Sequence, residues 1–430
     1  MPLQLVINTA SPLNVMVVLS AGDGILLGSA IAFPSGGLAL AQAPLTLPEA
    51  VDIALGADDP SVARLEQEAL AFDDKAVAES QLPDPVVSAQ IANVPFPSLD
   101  YDREPMTQLK FGVRQALPKG ETLALAREKQ TAQAQSARFH KSLQEQQIAL
   151  EVRQTWLELS YWRDARRLTL ESQRKVSELG GVAQADYASG RSSLQNVLRI
   201  DLETSSLDAR LVDIQRNEDR ARADLIRLIG PLEGARPLAS GAPILPPVTG
   251  EDLIRERLAS HPSLRALDAS VTSKSRDVDI AAEQYKPGIS FDAQYGIRDS
   301  RSDFGSVGVA VSLPLFSKKN KDYALRATKR LREAERLARD TQALELERAL
   351  RRDWAQYTRL GEQIEVYETD VLDRARDTRE AAMAAYGNNL ADFAELVRAE
   401  LAVLDTELTL SRLRVDRLQA QANLLFLSGD

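Results

Sequence analysis

One long stretch of this chain occurs twice. Residues 187–230 align without a gap with residues 386–429, at an offset of 199. Tyr187/Tyr386, Arg199/Arg398, Leu202/Leu401, Leu211/Leu410, Leu225/Leu424, Leu228/Leu427 and Gly230/Gly429 are identical pairs. Trp156 and Trp354 pair at a nearly equal offset; Pro60-Ser61 pairs with Pro262-Ser263, and Pro85 with Pro287, at an offset of 202. Self-similarity at a fixed period constrains a fold more than any single motif, because both copies must adopt one unit. The 430 residues therefore read as two copies of a unit of roughly 200 residues. Its order is helix, two strands, very long helix, turn, long helix.

The long helices follow from what is missing. Residues 121–179 hold neither Pro nor Gly, and only Gly361 interrupts residues 318–386. About sixty residues at ~1.5 Å each give a rod of roughly 90 Å. Ala, Leu, Glu, Arg and Gln dominate these stretches, which is coiled-coil composition. Acidic and basic residues four apart support the outer faces. Five prolines fall in residues 231–247, where the copies join. The expected division is an export segment at 1–43, a first repeat at 44–236, a proline-rich linker at 237–247 and a second repeat at 248–430.

Between the helices the period changes to two. Ile289, Phe291, Ala293, Tyr295 and Ile297 alternate with Ser290, Asp292, Gln294, Gly296 and Arg298; Val307, Val309, Val311 and Leu313 alternate with Ser306, Gly308, Ala310 and Ser312. Leu109, Phe111 and Val113, and Val87, Ala89 and Ile91, do the same in the first repeat. This pattern predicts strands at about 85–94, 106–117, 287–298 and 305–316, each with one apolar face. Their length suits a tilted strand crossing a bilayer. Two readings stand: small amphipathic hairpins packed on helices, or part of a transmembrane barrel with its apolar face toward lipid. In the second, Gln90, Lys110, Arg114, Asp292, Gln294 and Arg298 face the lumen. Four strands cannot close a barrel, and an open sheet edge cannot stand in lipid, so several chains would share one. "ALPKG" and "LPLF" would be the hinges from strand to helix, where Pro ends the ladder.

No Lys or Arg precedes Arg64, apolar runs occur at 15–19 and 25–33, and Ala41-Gln42-Ala43 has the small-x-small form of a cleavage site. This predicts a cleaved export signal with a mature chain beginning near Pro44; the alternative is an apolar leader. No later apolar run is long enough for a transmembrane helix. The net charge of -10 and the lack of a basic patch argue against nucleic acid as a partner. Without cysteine there is neither a disulfide nor a lipid on an N-terminal Cys. His140 and His261 have no ligand-spaced partner and read as surface or packing residues. Gly22-Asp23-Gly24 lacks the strand–helix context of a phosphate loop. Trp156, Trp162 and Trp354 read as packing anchors, and Gly180-Gly181 as a flexible point. No catalytic, cofactor-binding or metal-ligating residues are expected, and the chain is read as a non-enzyme.

In this order the motifs resemble the TolC-type outer-membrane efflux proteins. The resemblance spans about residues 45–429. It is carried by the duplicated helix–strand–strand–helix unit, the "LPLF" hinge and a Y-x-x-G turn leading into a helix. The first turn is Tyr187-Ala188-Ser189-Gly190, continuing "RSSLQNVL"; the second is Tyr386-Gly387-Asn388-Asn389, continuing "LADFAELV", with Asn389 at the glycine position. The short length and "LPDPVVSA" look closest to the heavy-metal-efflux branch. The resemblance implies a mainly α fold with β: long coiled-coil helices, and four strands contributing to a shared trimeric 12-stranded barrel in the outer membrane. It implies a passive conduit for small substrates, metal ions or drugs, working with a periplasmic adaptor protein and an inner-membrane pump. It places Tyr187, Gly190, Arg191, Leu194, Tyr386, Asn389 and Leu390 at the adaptor-docking tips, and Glu395 with Asp392 at the pore aperture. Arg398 and Asn196 depart from the acidic pattern there, and a solvated helix face is the other reading of Glu395 and Asp392. Rival functions are a coiled-coil scaffold or a periplasmic adaptor without a pore, or a channel for type I protein secretion. The alternating strands and the apolar leader weigh against the scaffold, and the duplication against an adaptor.

Overall fold

A computed structural model describes residues 43–429, apart from Ser98, Asp102, Arg103, Ser192, Ala242, Ser300, Phe316, Ser317 and Asn389. The expected export segment, except for Ala43, lies outside the described residues, and so does Asn389.

The first repeat begins with α1 (Leu47–Gly56) and α2 (Pro60–Ala78). Thr46 and Glu49 cap α1 reciprocally, each side chain accepting from the other's backbone N–H at 3.4 Å. The Asp59 carboxylate caps α2 by accepting the Ser61 N–H at 2.8 Å. Strands β1 (Val86–Ala92) and β2 (Gln108–Leu117) follow, then α3 (Thr122–Ala188) and α4 (Leu194–Ile229). A short α5 (Pro231–Gly234) leads into the linker. The second repeat runs α6 (Glu251–Leu258), α7 (Pro262–Glu283), β3 (Gly288–Ile297), β4 (Phe304–Ser312) and α8 (Lys318–Val366). One π turn (Tyr367–Val371) joins α8 to α9 (Leu372–Gly387), and α10 (Phe393–Ser428) closes the chain.

The duplicated Pro-Ser pairs are now explained. Pro60 and Pro262 each occupy the first helical turn, where a missing N–H costs nothing. The serine N–H is accepted by the preceding side chain, Asp59 in one copy and His261 Nδ1 in the other. His261 is therefore a buried helix cap, edge-on to Phe426 at 5.3 Å. Its removal from water lowers its pKa.

With 67 residues, α3 is a rod of about 100 Å. It runs unbroken through Gly180-Gly181, where flexibility was expected. A Cβ at Gly180 would stand 3.1 Å from Ile200 of α4, so glycine here allows two helices to approach closely. Trp156 is 2 % exposed at the centre of a cluster with Leu45, Leu157, Leu225 and Leu425. Trp354 packs beside Ile254, Leu264, Leu350 and Leu424 in a second cluster. The two repeats share α10, which packs on both α3 and α8. Arg236, 8 % exposed, pins the start of the described chain: it donates to the Ala43 carbonyl at 2.6 and 2.9 Å and pairs with Glu49 and Glu233.

Both hairpins join in one antiparallel sheet of order β1-β2-β3-β4. The fourth strand ends at Ser312, short of the expected 316. Pro314 has no N–H for the ladder, and Leu315 N–H turns back to Leu313 O at 2.9 Å. The first strand stops at Ala92, because Asn93 takes φ 60°. Among the described residues no helix is long and apolar enough to cross a membrane.

Candidate channel wall and helical tips

The strand register sorts side chains into rows. On one face Val87, Val113, Ala293 and Val307 stand side by side, as do Phe291 beside Val309 and Leu117 beside Ile289 and Val311. On the other face Ser88, Gly112, Gln294 and Ser306 form a row; Gln90 and Lys110 lead to Gly296, and Arg114 and Asp292 lead to Gly308. Five of the six expected lumen residues thus share one polar face. Glycine makes room there: a Cβ at Gly112 would sit 2.9 Å from Ser88 Oγ, and one at Gly308 would sit 2.8 Å from Asp292 Oδ1. The apolar face is bare, with Val307 90 % exposed. Strands β1 and β4 each have a free edge within the chain.

Arg298, the sixth expected lumen residue, stands just past β3 and works as a clip. Its guanidinium lies 3.7 Å from the Phe304 ring centre and donates to Ser302 O at 2.7 Å and Pro105 O at 3.1 Å. It so ties loop 93–107 to loop 298–303. Tyr101 adds a bond from its hydroxyl to Ile297 O at 3.0 Å.

At the opposite end of the long helices lie the two turns. Arg191 N–H bonds Asp186 O at 2.8 Å, with Gly190 at φ 76°; Leu390 N–H bonds Ala385 O in the same pattern. Asn389 lies outside the described residues. The Tyr386 hydroxyl donates to Asp186 Oδ2 at 2.7 Å, across the two tips, and Arg191 pairs with Oδ1 at 2.6 Å. Burial, and then the Asp186 charge, push the Tyr386 hydroxyl up to about 12. The Tyr386 bond, and then Arg191, hold the Asp186 carboxyl below its ordinary value. Phe393 stacks edge-on against Tyr386 at 5.2 Å. A second cross-tip bond runs from Asn196 Nδ2 to Asp392 Oδ1 at 3.3 Å. Glu395, in the first turn of α10, is exposed and paired with Arg398.

The repeat-related tips differ in what covers them. On α10, Phe393, Leu396 and Val397 are buried. On α4 their counterparts include Leu194, and Leu194, Leu198 and Leu202 form an exposed stripe at four-residue spacing; Tyr187 and Leu390 are exposed too. Asp186 escaped the sequence reading. Its one signal is that its repeat counterpart is the neutral Ala385.

Residues 253–430 match the family model described as outer membrane efflux protein. The sequence matches no curated protein. Among solved structures the fold is similar to the outer-membrane channel OprN, at 19 % identity, 89 % of this chain, 90 % of that one and a TM-score of 0.74. It is similar to the outer membrane protein VceC from Vibrio cholerae, at 18 % identity, 89 % and 96 % coverage and a TM-score of 0.75. It is also similar to CusC, at 14 % identity, 90 % and 93 % coverage and a TM-score of 0.75. At these identities the likeness is one of fold.

Proposed function

We propose, starting from a chain that belongs to the TolC-type outer-membrane efflux proteins, that it is one third of an outer-membrane channel: a homotrimer in which three four-stranded sheets close a 12-stranded barrel. One observation carries this reading. The chain ends its sheet in two free edges and leaves one whole face apolar and bare, while the other face is polar. Closure with two further copies pairs every edge and turns the bare face to lipid. The loops tied by Arg298 then lie outside the cell, and the helices extend roughly 100 Å into the periplasm.

The exposed Leu194, Leu198 and Leu202 stripe and the tip residues Tyr187 and Leu390 support docking there by neighbouring copies and a periplasmic adaptor, with an inner-membrane pump supplying the energy. The Tyr386–Asp186–Arg191 link fastens the α9–α10 tip to the α3–α4 tip and so holds the entrance in one arrangement. Glu395 and Asp392 line that entrance, with Arg398 reducing the field of Glu395. The chain is a passive conduit for small solutes. TM-scores that agree within 0.01 support the class of conduit and favour no branch.

The natural chain holds no cysteine, which makes the test clean. Single cysteines placed along β1 and β4, combined in pairs, should give covalent trimers on denaturing gels of the outer-membrane fraction. Only monomers, or a chain recovered free of membrane, would overturn the reading.

A further inference from the structure

The two strand-to-helix hinges converge on a pair of lysines. Lys119 follows Pro118 in the first repeat, and Lys321 opens α8 after Pro314 in the second. The Lys119 stem crosses the foot of the sheet, its Cε 3.6 Å from where a Cβ on Gly288 would stand. Gly288 shares the parity of Ser290, Asp292 and Gln294, so this is the polar face. Lys119 Nζ donates to the Gln284 carbonyl at 3.2 Å. The Lys321 ammonium lies against Lys119, and its Nζ is fully buried with no hydrogen-bond partner among the described residues. The Tyr285 ring centre is 5.9 Å away. Nearby carboxylates are engaged elsewhere: Asp322 accepts from the Tyr285 hydroxyl at 2.5 Å, and Glu283 holds Lys286 at 2.7 Å and the Glu121 N–H at 2.9 Å. Beside the pair opens a cavity of about 520 Å³, lined by Lys119, Thr122, Ser290 and Ser312.

Two ammonium groups in contact repel, and a buried donor without an acceptor forfeits its hydration. Burial, and then the Lys119 charge, hold the Lys321 pKa below the ordinary lysine range. An anion that accepts from both groups removes both penalties, and lysine is a compact donor suited to phosphate and carboxylate oxygens. We propose that Lys119 and Lys321 bind an oxyanion, a phosphate or carboxylate group, in this cavity where strands hand over to the long helices. The pair stands on its own geometry; only its opening toward the channel interior rests on the function proposed above.

Inorganic phosphate titrated calorimetrically into the detergent-solubilised native trimer should bind saturably. Lys119→Gln and Lys321→Gln should each weaken binding by roughly tenfold or more. Lys321→Arg should restore it, which a merely structural role would not predict, and Lys329→Gln, an exposed ammonium farther along α8, should leave it unchanged. Native gels report whether each variant assembles. Vesicles of phosphatidylglycerol, compared with phosphatidylcholine, identify the source. Competition by the anionic lipid supports the site with a membrane headgroup as its ligand, and lack of competition supports it with a dissolved anion. No saturable phosphate binding, or equal binding by the Lys119→Gln/Lys321→Gln double variant, overturns the proposal. Binding by a trimer that conducts no ions leaves the site standing and removes the channel.

Discussion

Val307 and Ser306 are neighbours at one depth on opposite faces of β4, and they make a sharp test of which face meets lipid. Val307 stands in the row with Val87, Val113 and Ala293, and Ser306 in the row with Ser88, Gly112 and Gln294. Both lie near the middle of a nine-residue strand. Arginine on a lipid face at mid-bilayer costs ~2–4 kcal/mol, so three copies in one barrel cost ~6–12 kcal/mol. That is comparable to the whole stability of an ordinary domain, ~5–15 kcal/mol. Ser306→Arg places the same charge over a row thinned by Gly112, facing water, where the cost is near zero to about 1 kcal/mol. Membrane fractionation with heat-shifted gels reads the outcome. Val307→Arg should lose trimer by more than about tenfold, the change that only 1.4 kcal/mol produces. Ser306→Arg should assemble like the native chain and pass cations less well in planar bilayers. Equal assembly of the two variants would refute the facing assignment, and with it the closed barrel.

Three further outcomes are expected. Tyr386→Phe removes the hydroxyl bonded to Asp186 and should raise open-channel current. The native link is full above the ordinary aspartate range, is lost as pH falls through the lowered Asp186 value, and is lost again above about 12; native current should therefore rise in acid while the Tyr386→Phe current stays flat. Glu395→Ala should lower cation selectivity and Arg398→Ala should raise it, because the two are paired, with the exposed Glu365→Ala on α8 as an inert control; selectivity unmoved by all three would leave Glu395 a solvated residue. The mature chain should retain Ala43, because the buried Arg236 holds its carbonyl, so N-terminal sequencing should find a start at or before that residue, in place of the Pro44 expected from the small-x-small motif.

Periodicity made the rods and strands readable in advance, since a 3.6-residue or two-residue pattern survives wherever one face is buried and the other wet. Polarity alone placed Gln90, Lys110, Arg114, Asp292 and Gln294 on one face. It misread Arg298, because alternation says nothing about where a strand stops, and Asp303 accepts the Arg298 N–H at 3.1 Å as the chain turns. The Tyr386–Asp186 contact joins residues 200 apart. Repeat matching emphasised the identical tyrosines and passed over Asp186, which departs from its counterpart. The hinge lysines escaped for the same reason: their meaning lies in meeting across repeats, and each alone reads as a surface charge.

The π turn at Tyr367–Val371 bears on the history of the duplication. Trp156 precedes Tyr187 by 31 residues, whereas Trp354 precedes Tyr386 by 32. One copy carries a single insertion, and the π turn falls inside the interval that holds it. A turn closed five residues back, in place of four, takes up one extra residue and rejoins the ladder in step. An insertion accepted by an ordinary helix would instead rotate everything beyond it by about 100°, sending Tyr386 away from Asp186. The bulge thus reads as a healed scar that preserved the angular phase of the tip. Deleting one residue within Tyr367–Val371 should yield a straight helix with the tip contacts intact, while the same deletion in α9 should swing them out of reach.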